Sequence, residues 1–255
     1  MLELMKNESP SLLFAAFKYS IPVLLGYLAI GFAFGILMDD AGYPLWLSIL
    51  MSVAMYAGAG QFIAVGLFAA GISIWEAALV QLVVNARHIA YGLSMIKRLP
   101  FSGFKKAYCV FGLTDETFAL LSSLPVNEEG GMIHIPGLSK PIPADGRRNF
   151  MFLVTLLDHG YWVTGTLIGA VAGSLISYNI EGISFALTAL FIVLMLEQIF
   201  RIRKPAIFII SAIPALLGVI FLPSRLSLLA AIAIALAVSS MLAAKSPEMY
   251  KKENA

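Results

Sequence analysis

The sequence predicts an all-α, polytopic membrane protein with about six to eight transmembrane or re-entrant helices, some of them broken near the bilayer midplane. Of its 255 residues, 60% are hydrophobic and only 13% are charged, which is about half the charged share of a soluble domain. The apolar residues form long runs, and the charged residues lie in short clusters between those runs. We therefore expect the lipid bilayer to surround a single transmembrane domain over residues 1–255.

The composition argues against several classes of function. A net charge of +2 gives no basis for nucleic-acid binding. The single cysteine, Cys109, excludes an intrachain disulfide and a cysteine cluster. His88 and His159 lack the spacing of local metal ligands, and no nucleotide-binding or hydrolase motif is present. We expect no enzyme, no cofactor, no metal and no catalytic residue; an intramembrane enzyme would lack a nucleophile.

Apolar stretches supply the predicted helices. Because a helix rises about 1.5 Å per residue, about 20 residues cross the hydrocarbon layer. The long stretches are Phe17–Leu37, Leu45–Ala70, Ser73–Ile96, Phe150–Tyr178, Ile183–Phe200, Ala206–Leu222 and Leu226–Ala244. A shorter stretch, Ala107–Ser123, holds Asp115 and Glu116 at its middle. Pro22, Gly26, Gly31 and Gly35 in the first stretch predict a kink and close helix packing.

Loop charges predict the orientation. The basic clusters are Lys97–Lys106, Arg147–Arg148, Arg201–Lys204 and Lys245–Lys252. The positive-inside rule places all of them, and the C-terminus, in the cytoplasm. Since both flanks of Ala107–Ser123 are then cytoplasmic, this stretch should enter the membrane and return. Leu45–Ala70 should also be re-entrant, unless the N-terminus lies outside. Leu124–Asn149, rich in proline, glycine and charge, predicts one polar cytoplasmic surface loop.

The centre of Leu45–Ala70 contains Gly58, Gly60 and Gln61. Two glycines and a glutamine weaken a helix there and predict a break between two half-helices. The alternative is a continuous helix whose small residues allow close packing. The sequence leaves both interpretations open.

Arg87 and His88 lie inside the apolar stretch Ser73–Ile96, where an arginine costs at least ~2.5–3.5 kcal/mol. On a continuous helix, two polar faces are predicted. One face carries Gln81, Asn85, His88 and Gly92, and the other carries Arg87, Tyr91 and Ser94. The first face would line a pathway, while Arg87 would pair with an acid on another helix. Alternatively, the amides only bind neighbouring helices.

Asp115 and Glu116 are the expected counter-charges. Adjacent helical positions point ~100° apart, so the two acids should have different tasks. One would neutralise Arg87, and the other would face a cavity and carry a proton. A surface helix with both acids in water is the alternative.

Asp158, Tyr161 and Trp162 form a further polar group in the stretch Phe150–Tyr178. Asp158 and Trp162 are four residues apart and share a helix face. An aromatic ring beside a buried acid suits an ammonium group. The alternative is a tryptophan that packs helices, with Asp158 near the membrane surface.

Four motifs then resemble those of one protein family. They are Tyr56-Ala-Gly-Ala-Gly-Gln61-Phe62, Asn85-Ala-Arg87-His88-Ile-Ala-Tyr91-Gly92, Leu113-Thr-Asp115-Glu116-Thr-Phe118 and Tyr161-Trp162-Val-Thr-Gly165. In this order they resemble the AzlC family of branched-chain amino acid permeases, from about Phe17 to Leu222. The resemblance implies the plasma membrane of a bacterium or archaeon, export of valine, leucine, isoleucine or methionine, and a small AzlD-type membrane partner. A homo-oligomer is compatible with the sequence.

The predicted function is a secondary transporter that exports branched-chain amino acids and is coupled to an ion gradient. Helix-end amides at Gly58–Gln61 would bind the substrate carboxylate. Asp115 or Glu116 would bind the ammonium group or a proton, and His88 could join a proton relay. The alternative is a membrane subunit that transports nothing itself and docks a small partner protein.

Overall fold

The computed structural model describes residues 12–99, 101–125, 132–135, 138 and 141–175, together with single helical positions between residues 192 and 234. The helices of the continuous part are α1 Leu12–Asp40, α2 Leu45–Ala54, α3 Gly58–Ala69, α4 Ile74–Val84, α5 Ala86–Met95, α6 Phe104–Phe111, α7 Asp115–Ser122 and α8 Arg147–Leu175. Two short strands, β1 Met132–Ile133 and β2 Ile142–Pro143, and a 3-10 turn over Ala144–Gly146 precede α8. The described part is therefore helical almost throughout, in agreement with the predicted all-α class.

The chain divides into two compact units. The first comprises Met1–Gly71 and Val84–Ile183, and the second comprises Ile72–Val83 and Ser184–Ala255. In the second unit the structure describes most of α4 and the single positions between 192 and 234; Trp75 of α4 is 82% exposed. The helices predicted after residue 183 and the last two basic clusters lie outside the described residues, apart from those single positions.

The first unit is built around α1 and α8, which pack side by side and run in the same direction. Gly146, directly before α8, lies against Leu12 at the start of α1. Gly173, near the end of α8, lies against Asp39 near the end of α1. Between these points the two backbones are in contact. A Cβ added at Gly31 would lie 2.8 Å from the Trp162 carbonyl oxygen, and a Cβ added at Gly165 would lie 2.8 Å from the Leu28 carbonyl oxygen. The predicted close packing is confirmed at Gly31 and Gly35 but not at Gly26, where nothing lies within 4 Å of an added Cβ. α1 spans 29 residues and is long and apolar enough to cross a membrane.

Helices α2 and α3 form a hairpin that starts and ends beside the last residues of α1. Gly42, with φ of 78°, reverses the chain after α1. α2 then runs back along α8, where Ser52 hydrogen-bonds Thr166 at 2.8 Å. α3 returns, with Phe62 packed on Phe34 and Phe68 on Tyr43. Because α2 ends at Ala54 and α3 begins at Gly58, this stretch is broken rather than continuous.

Helices α6 and α7 form a second hairpin, which starts and ends beside the first residues of α1 and α8. Lys105 in α6 donates to Asn149 Oδ1 at 2.8 Å. The tip, Gly112–Thr114, packs on Thr155 of α8. α7 returns antiparallel to α1, since Tyr19 donates to the Leu120 carbonyl oxygen at 2.8 Å. The predicted single stretch Ala107–Ser123 is therefore two helices, and the two hairpins enter the first unit from opposite ends.

The predicted continuous helix Ser73–Ile96 is also interrupted. α4 ends at Val84, and α5 begins at Ala86. Asn85 lies between them with φ of −92° and ψ of 4°. The face predicted to carry Gln81, Asn85, His88 and Gly92 requires a continuous helix through Asn85. Because the helix is interrupted there, these residues do not form one continuous helical stripe.

The segment Leu124–Asn149 is not the uniform polar loop that the sequence predicts. Ile133 and Ile142 are directly opposite in the antiparallel β1–β2 pair. Both are buried, together with Leu124 and Ile135, in a core with Phe150. The apolar alternation was hidden by the surrounding prolines and glycines. This folded segment covers the ends of α1, α5 and α8 at what we call the basic end.

The basic end is defined by Arg98, Lys105 and Arg147. Arg98 donates to the Ser122 carbonyl oxygen at 2.6 Å, and Arg147 donates to that of Pro125 at 2.6 Å. These carbonyls follow the last turn of α7, where a cation is favoured by the helix dipole. Two of the predicted basic clusters are thereby brought together. The opposite end of the first unit, at Asp39 and Asp40, is called the acidic end.

Candidate functional site

The tips of the two hairpins lie against the same part of α8. Tyr56, at the tip between α2 and α3, has its ring centre 4.3 Å from that of His159 and 6.3 Å from that of Phe111 beside the second tip. Tyr27 of α1 lies 6.3 Å from Tyr56 and 5.5 Å from Trp162. We call this region the central site, and define it by Tyr27, Tyr56, Thr117, Asp158 and Trp162.

Tyr56 holds an unusual backbone conformation, with φ of 41°. A bulky residue in this left-handed region costs of order 1–3 kcal/mol and is retained where surrounding contacts fix it. The contacts of its ring with His159 and Tyr27 supply that restraint. The break between α2 and α3 is therefore a fixed feature of the site.

Buried hydrogen bonds attach the first turn of α3 to α8. Trp162 Nε1 donates to Gln61 Oε1 at 2.8 Å, and Gln61 Nε2 donates to Ser52 Oγ at 3.1 Å. Ser52 Oγ in turn contacts Thr166 Oγ1 at 2.8 Å. A Cβ at Gly58 would lie 3.2 Å from the Trp162 ring, so a larger residue would press on that ring. Gln61 and Trp162, predicted separately, are thus partners.

His159 links both hairpins. Its Nε2 lies 3.2 Å from the Ser52 carbonyl oxygen, and its Nδ1 lies 2.8 Å from the Tyr108 hydroxyl of α6. Since a carbonyl only accepts, Nε2 carries a proton. In the neutral ring Nδ1 therefore accepts from Tyr108. In a continuing helix the Ser52 carbonyl would accept from the Tyr56 amide. Because Tyr56 lies outside α2, this carbonyl accepts from His159 instead.

Arg87 pairs with Asp115, as predicted. Arg87 Nη1 lies 2.7 Å from Asp115 Oδ2, and the side chains are 37% and 24% exposed. The Tyr91 hydroxyl donates to Asp115 Oδ1, and its ring stacks on Phe118 at 4.5 Å. Asp115 is the first residue of α7, where the helix dipole favours negative charge.

Glu116 has a different set of partners. It accepts from the Tyr27 hydroxyl at 2.7 Å, and that hydroxyl also bonds Thr114 Oγ1. Thr114 caps α7, because its Oγ1 accepts from the Thr117 amide at 3.2 Å. The two adjacent acids therefore face different elements, as their helical positions predict.

Asp158 is fully buried. Its Oδ2 accepts from Thr117 Oγ1 at 2.8 Å. Its Oδ1 is buried without a hydrogen-bond partner among the described residues. Within that part of the chain, no lysine or arginine pairs with Asp158. A buried carboxylate without a cation is costly, so this position favours either a bound cation or a proton.

The other predicted site residues have no described hydrogen bond to this carboxylate. Tyr161 contacts Ser20 Oγ at 3.0 Å, and Gly60 is buried within α3. The His88 ring centre is 6.0 Å from that of Tyr91, and the described contacts include no hydrogen bond from His88 to an acid. Gln81 belongs to the second unit.

Several polar residues of the site escaped the sequence analysis. They are Tyr27, Ser52, Thr114, Thr117 and Thr166. Thr114 carried a usable signal, because a threonine directly before two acids is typical of a helix N-terminus. Tyr27, Ser52 and Thr166 are single hydroxyls in apolar runs, and Thr117 follows the two acids; only the fold brings these four together. Where the chain is described, no three His, Cys, Asp or Glu side chains are grouped to hold a metal ion.

Comparisons with known proteins found one matching family and several relatives. The family model described as AzlC protein matches residues 22–176. A Bacillus subtilis relative named "Branched-chain amino acid transport protein AzlC" is 38% identical over 74% of this chain and 69% of its own length. "Inner membrane protein YgaZ" of Escherichia coli is 33% identical over 84% of each chain. A Helicobacter pylori relative named "Uncharacterized membrane protein" is 39% identical over 72% of this chain and 74% of its own. No solved structure matches the chain.

Proposed function

Because this chain belongs to the AzlC family, we propose that it is a secondary transporter that exports branched-chain amino acids through the plasma membrane of a bacterium or archaeon. Its family and its relatives' names support a membrane protein with a role in amino acid transport. Valine, leucine, isoleucine and methionine are the proposed substrates, and an ion gradient is the proposed energy source.

The observation that carries the proposal is the meeting of two broken hairpins beside a buried carboxylate. Carriers of small solutes commonly place broken helices at the substrate site, because the helix ends there offer backbone groups. Here α3 begins at Gly58 and α7 begins at Asp115, both next to α8. Two hairpins entering from opposite ends can serve as two alternating gates around one site.

We assign the substrate carboxylate to the first turn of α3. The amide groups of a helix N-terminus point away from the helix and attract an anion. Gly58 and Gly60 allow a close approach of the ligand to the backbone. The hydrogen bonds of Gln61 with Trp162 and Ser52 hold this turn in place.

We assign the substrate ammonium group to Asp158. The sequence alone favours Asp115 or Glu116 for this role, but Arg87 already neutralises Asp115 and the Tyr27 hydroxyl already donates to Glu116. Asp158 Oδ1 is unpaired among the described residues, and the Tyr56 and Trp162 rings nearby can add cation–π attraction. Since leucine and isoleucine differ only in shape, an apolar pocket discriminates between them by about 1–3 kcal/mol at most.

We propose that the basic end faces the cytoplasm. Arg98, Lys105 and Arg147 gather there, and cytoplasmic loops are enriched in such residues. The N-terminus would then be cytoplasmic, since α1 starts at the same end. The C-terminus, which lies outside the described residues, is proposed to be cytoplasmic as well.

The test is transport by the purified chain in lipid vesicles. Vesicles preloaded with unlabelled valine should take up labelled valine in exchange, and an imposed proton or sodium gradient should drive net movement. Vesicles without protein give the background. Absence of valine exchange with or without a partner protein would overturn the proposed substrate.

A small AzlD-type membrane protein remains our proposed partner. The chain should be reconstituted alone and together with such a protein from the same genome. A partner that is required should raise valine exchange above that of the chain alone, and the two proteins should purify together. Equal exchange in both preparations would contradict the need for a partner.

A further inference from the structure

A continuous chain of hydroxyl groups joins two acids of the site. Tyr27 Oη lies 2.7 Å from Glu116 Oε2 and also bonds Thr114 Oγ1. Thr114 Oγ1 lies 3.1 Å from Thr117 Oγ1, which lies 2.8 Å from Asp158 Oδ2. We call Tyr27, Thr114 and Thr117 the hydroxyl relay.

The relay can pass one proton in either direction without gaining or losing atoms. With Asp158 protonated, its proton bonds Thr117, and each hydroxyl donates to the next as far as Glu116. If every proton moves along its own hydrogen bond, Asp158 becomes ionised and Glu116 becomes protonated. Every O–H bond that breaks is replaced by one that forms on the next oxygen. Chains of hydrogen bonds polarise one another, which favours such concerted movement.

The two ends of the relay differ in exposure. Asp158 is fully buried, whereas Glu116 is exposed. The relay therefore connects an enclosed carboxyl with one at the protein surface. Each bond of the relay lies between different helices or within the cap of α7, so the first unit must be folded to complete it.

The groups around Asp158 do not supply a permanent positive charge. Tyr56 from the first hairpin and Glu116 from the second are its titratable neighbours on other elements, and Tyr161 is a neighbour on α8 itself. None of these three side chains can carry a positive charge. Since these neighbours supply no positive charge, Asp158 must be neutralised by a proton or by a cationic ligand.

We propose that Asp158 binds the coupling proton and that the hydroxyl relay carries this proton to and from Glu116. The inference rests on the proposed function, because the substrate ammonium group pairs only with ionised Asp158. Proton and amino acid then alternate at one carboxylate. Each substrate that binds displaces a proton, and each proton that binds releases a substrate. Alternation of this kind gives proton–amino acid antiport, in which inward proton flow drives export.

Substitutions in the relay test this inference. Thr117→Val removes the hydroxyl with little change of volume, and Thr117→Ser retains it as a matched control. Tyr27→Phe breaks the relay at a second position. Each variant is reconstituted, and two rates are measured: valine movement driven by a pH gradient, and valine–valine exchange without a gradient. Exchange returns one substrate for another and transfers no net proton.

We expect Thr117→Val and Tyr27→Phe to lower gradient-driven movement at least about tenfold more than they lower valine–valine exchange, each relative to wild type. Thr117→Ser should keep both rates. Full gradient-driven movement in Thr117→Val would overturn the relay. An equal loss of exchange and of gradient-driven movement would also overturn it, since the hydroxyl would then serve the fold or substrate passage.

A spectroscopic measurement separates this inference from the proposed substrate. Infrared absorption of a protonated carboxyl group is followed after a sudden drop in pH, and Asp158→Asn identifies the Asp158 signal. Thr117→Val should slow the appearance of that signal at least about tenfold relative to Thr117→Ser. Unchanged kinetics would overturn the relay even in a protein that moves no valine, whereas absent valine exchange alone would overturn only the substrate.

Discussion

At the residue scale, an ion pair with Asp115 offsets the free-energy cost of placing Arg87 in an apolar segment. Arg87 and Asp115 are 28 positions apart in the sequence, yet their charged atoms lie 2.7 Å apart. Tyr91 holds the other oxygen of the same carboxylate. Because α5 and α7 both contribute, the pair fixes the tip of the second hairpin against the helix that carries Arg87.

Arg87→Ala should lower valine exchange by at least about tenfold, equivalent to about 1.4 kcal/mol. The substitution leaves the Asp115 charge without its cation and frees the start of α7. Arg87→Lys is the control, since it keeps the charge but loses the planar fork, and it should fall between wild type and Arg87→Ala. Exchange near the wild-type rate in Arg87→Ala would mean that the pair is dispensable for transport.

Trp162→Phe should destabilise the protein by about 1–3 kcal/mol, because the buried Gln61 Oε1 loses its hydrogen-bond donor. Thermal unfolding in detergent measures this change. Adding Gln61→Leu to Trp162→Phe should recover part of the lost stability, since the unsatisfied amide oxygen is then removed. If Trp162→Phe unfolds at the wild-type temperature, the hydrogen bond of Trp162 with Gln61 contributes little.

At the element scale, three of the four family-like motifs fall at helix breaks. Tyr56 precedes α3, Asn85 precedes α5, and Asp115 begins α7. The fourth motif, around Trp162, lies on α8 where the two tips meet. A long continuous helix at this position gives the broken helices a common surface, so the motifs that are separate in sequence form one site.

Gly31→Ala should disrupt the packing of α1 on α8, since the added Cβ would lie 2.8 Å from the Trp162 carbonyl oxygen. Backbone cannot yield as a side chain can, and overpacking typically costs about 1–3 kcal/mol. Gly26→Ala is a matched control on the same helix, because nothing lies within 4 Å of its added Cβ. Gly26→Ala should keep or slightly raise thermal stability. Equal unfolding temperatures for the two variants would contradict the close contact.

The apolar runs were enough to predict the helical class and the positions of α1 and α8. Gly58 and Gly60 also indicated the break before α3, because glycine weakens a helix locally. The reversal within Ala107–Ser123 was expected from the basic residues on both flanks, but its position at Gly112–Thr114 was not. The break at Asn85 was missed, since asparagine is tolerated in helices and the opposing contacts come from distant residues. The buried isoleucines Ile133 and Ile142 were missed for the same reason, because only their pairing reveals a common face.

Longer-range chemistry followed a similar pattern. The pairing of Arg87 with an acid was predictable because an unpaired charge in an apolar segment is too costly. The partners of Asp158 and Glu116 were not, since Tyr27 and Thr117 are ordinary hydroxyl residues until α1 and α7 bring them together. A buried charge requires a partner and so predicts one from the sequence, whereas a hydroxyl residue does not.

At the scale of the whole molecule, the first unit has two opposed hairpins and two long parallel helices. The acidic end receives both ends of the α2–α3 hairpin, and the basic end receives both ends of the α6–α7 hairpin. If the basic end is cytoplasmic, one gate opens to each side of the membrane. Accessibility of single cysteines tests this arrangement directly, in a Cys109→Ala background that removes the one native thiol.

Cysteines at Trp46 and Ala70, which are exposed at the start and after the end of the first hairpin, should react with an impermeant maleimide added to intact cells. Cysteines at Phe104 and Ser123, exposed beside the second hairpin, should react only after the membrane is permeabilised. If a hairpin is re-entrant, the two cysteines that flank it must be labelled from the same side of the membrane, whichever side that is. Labelling of Trp46→Cys and Ala70→Cys from opposite sides would show that α2 and α3 together cross the membrane. In that case the two tips could not act as opposed gates, because only one hairpin would return to the side from which it enters.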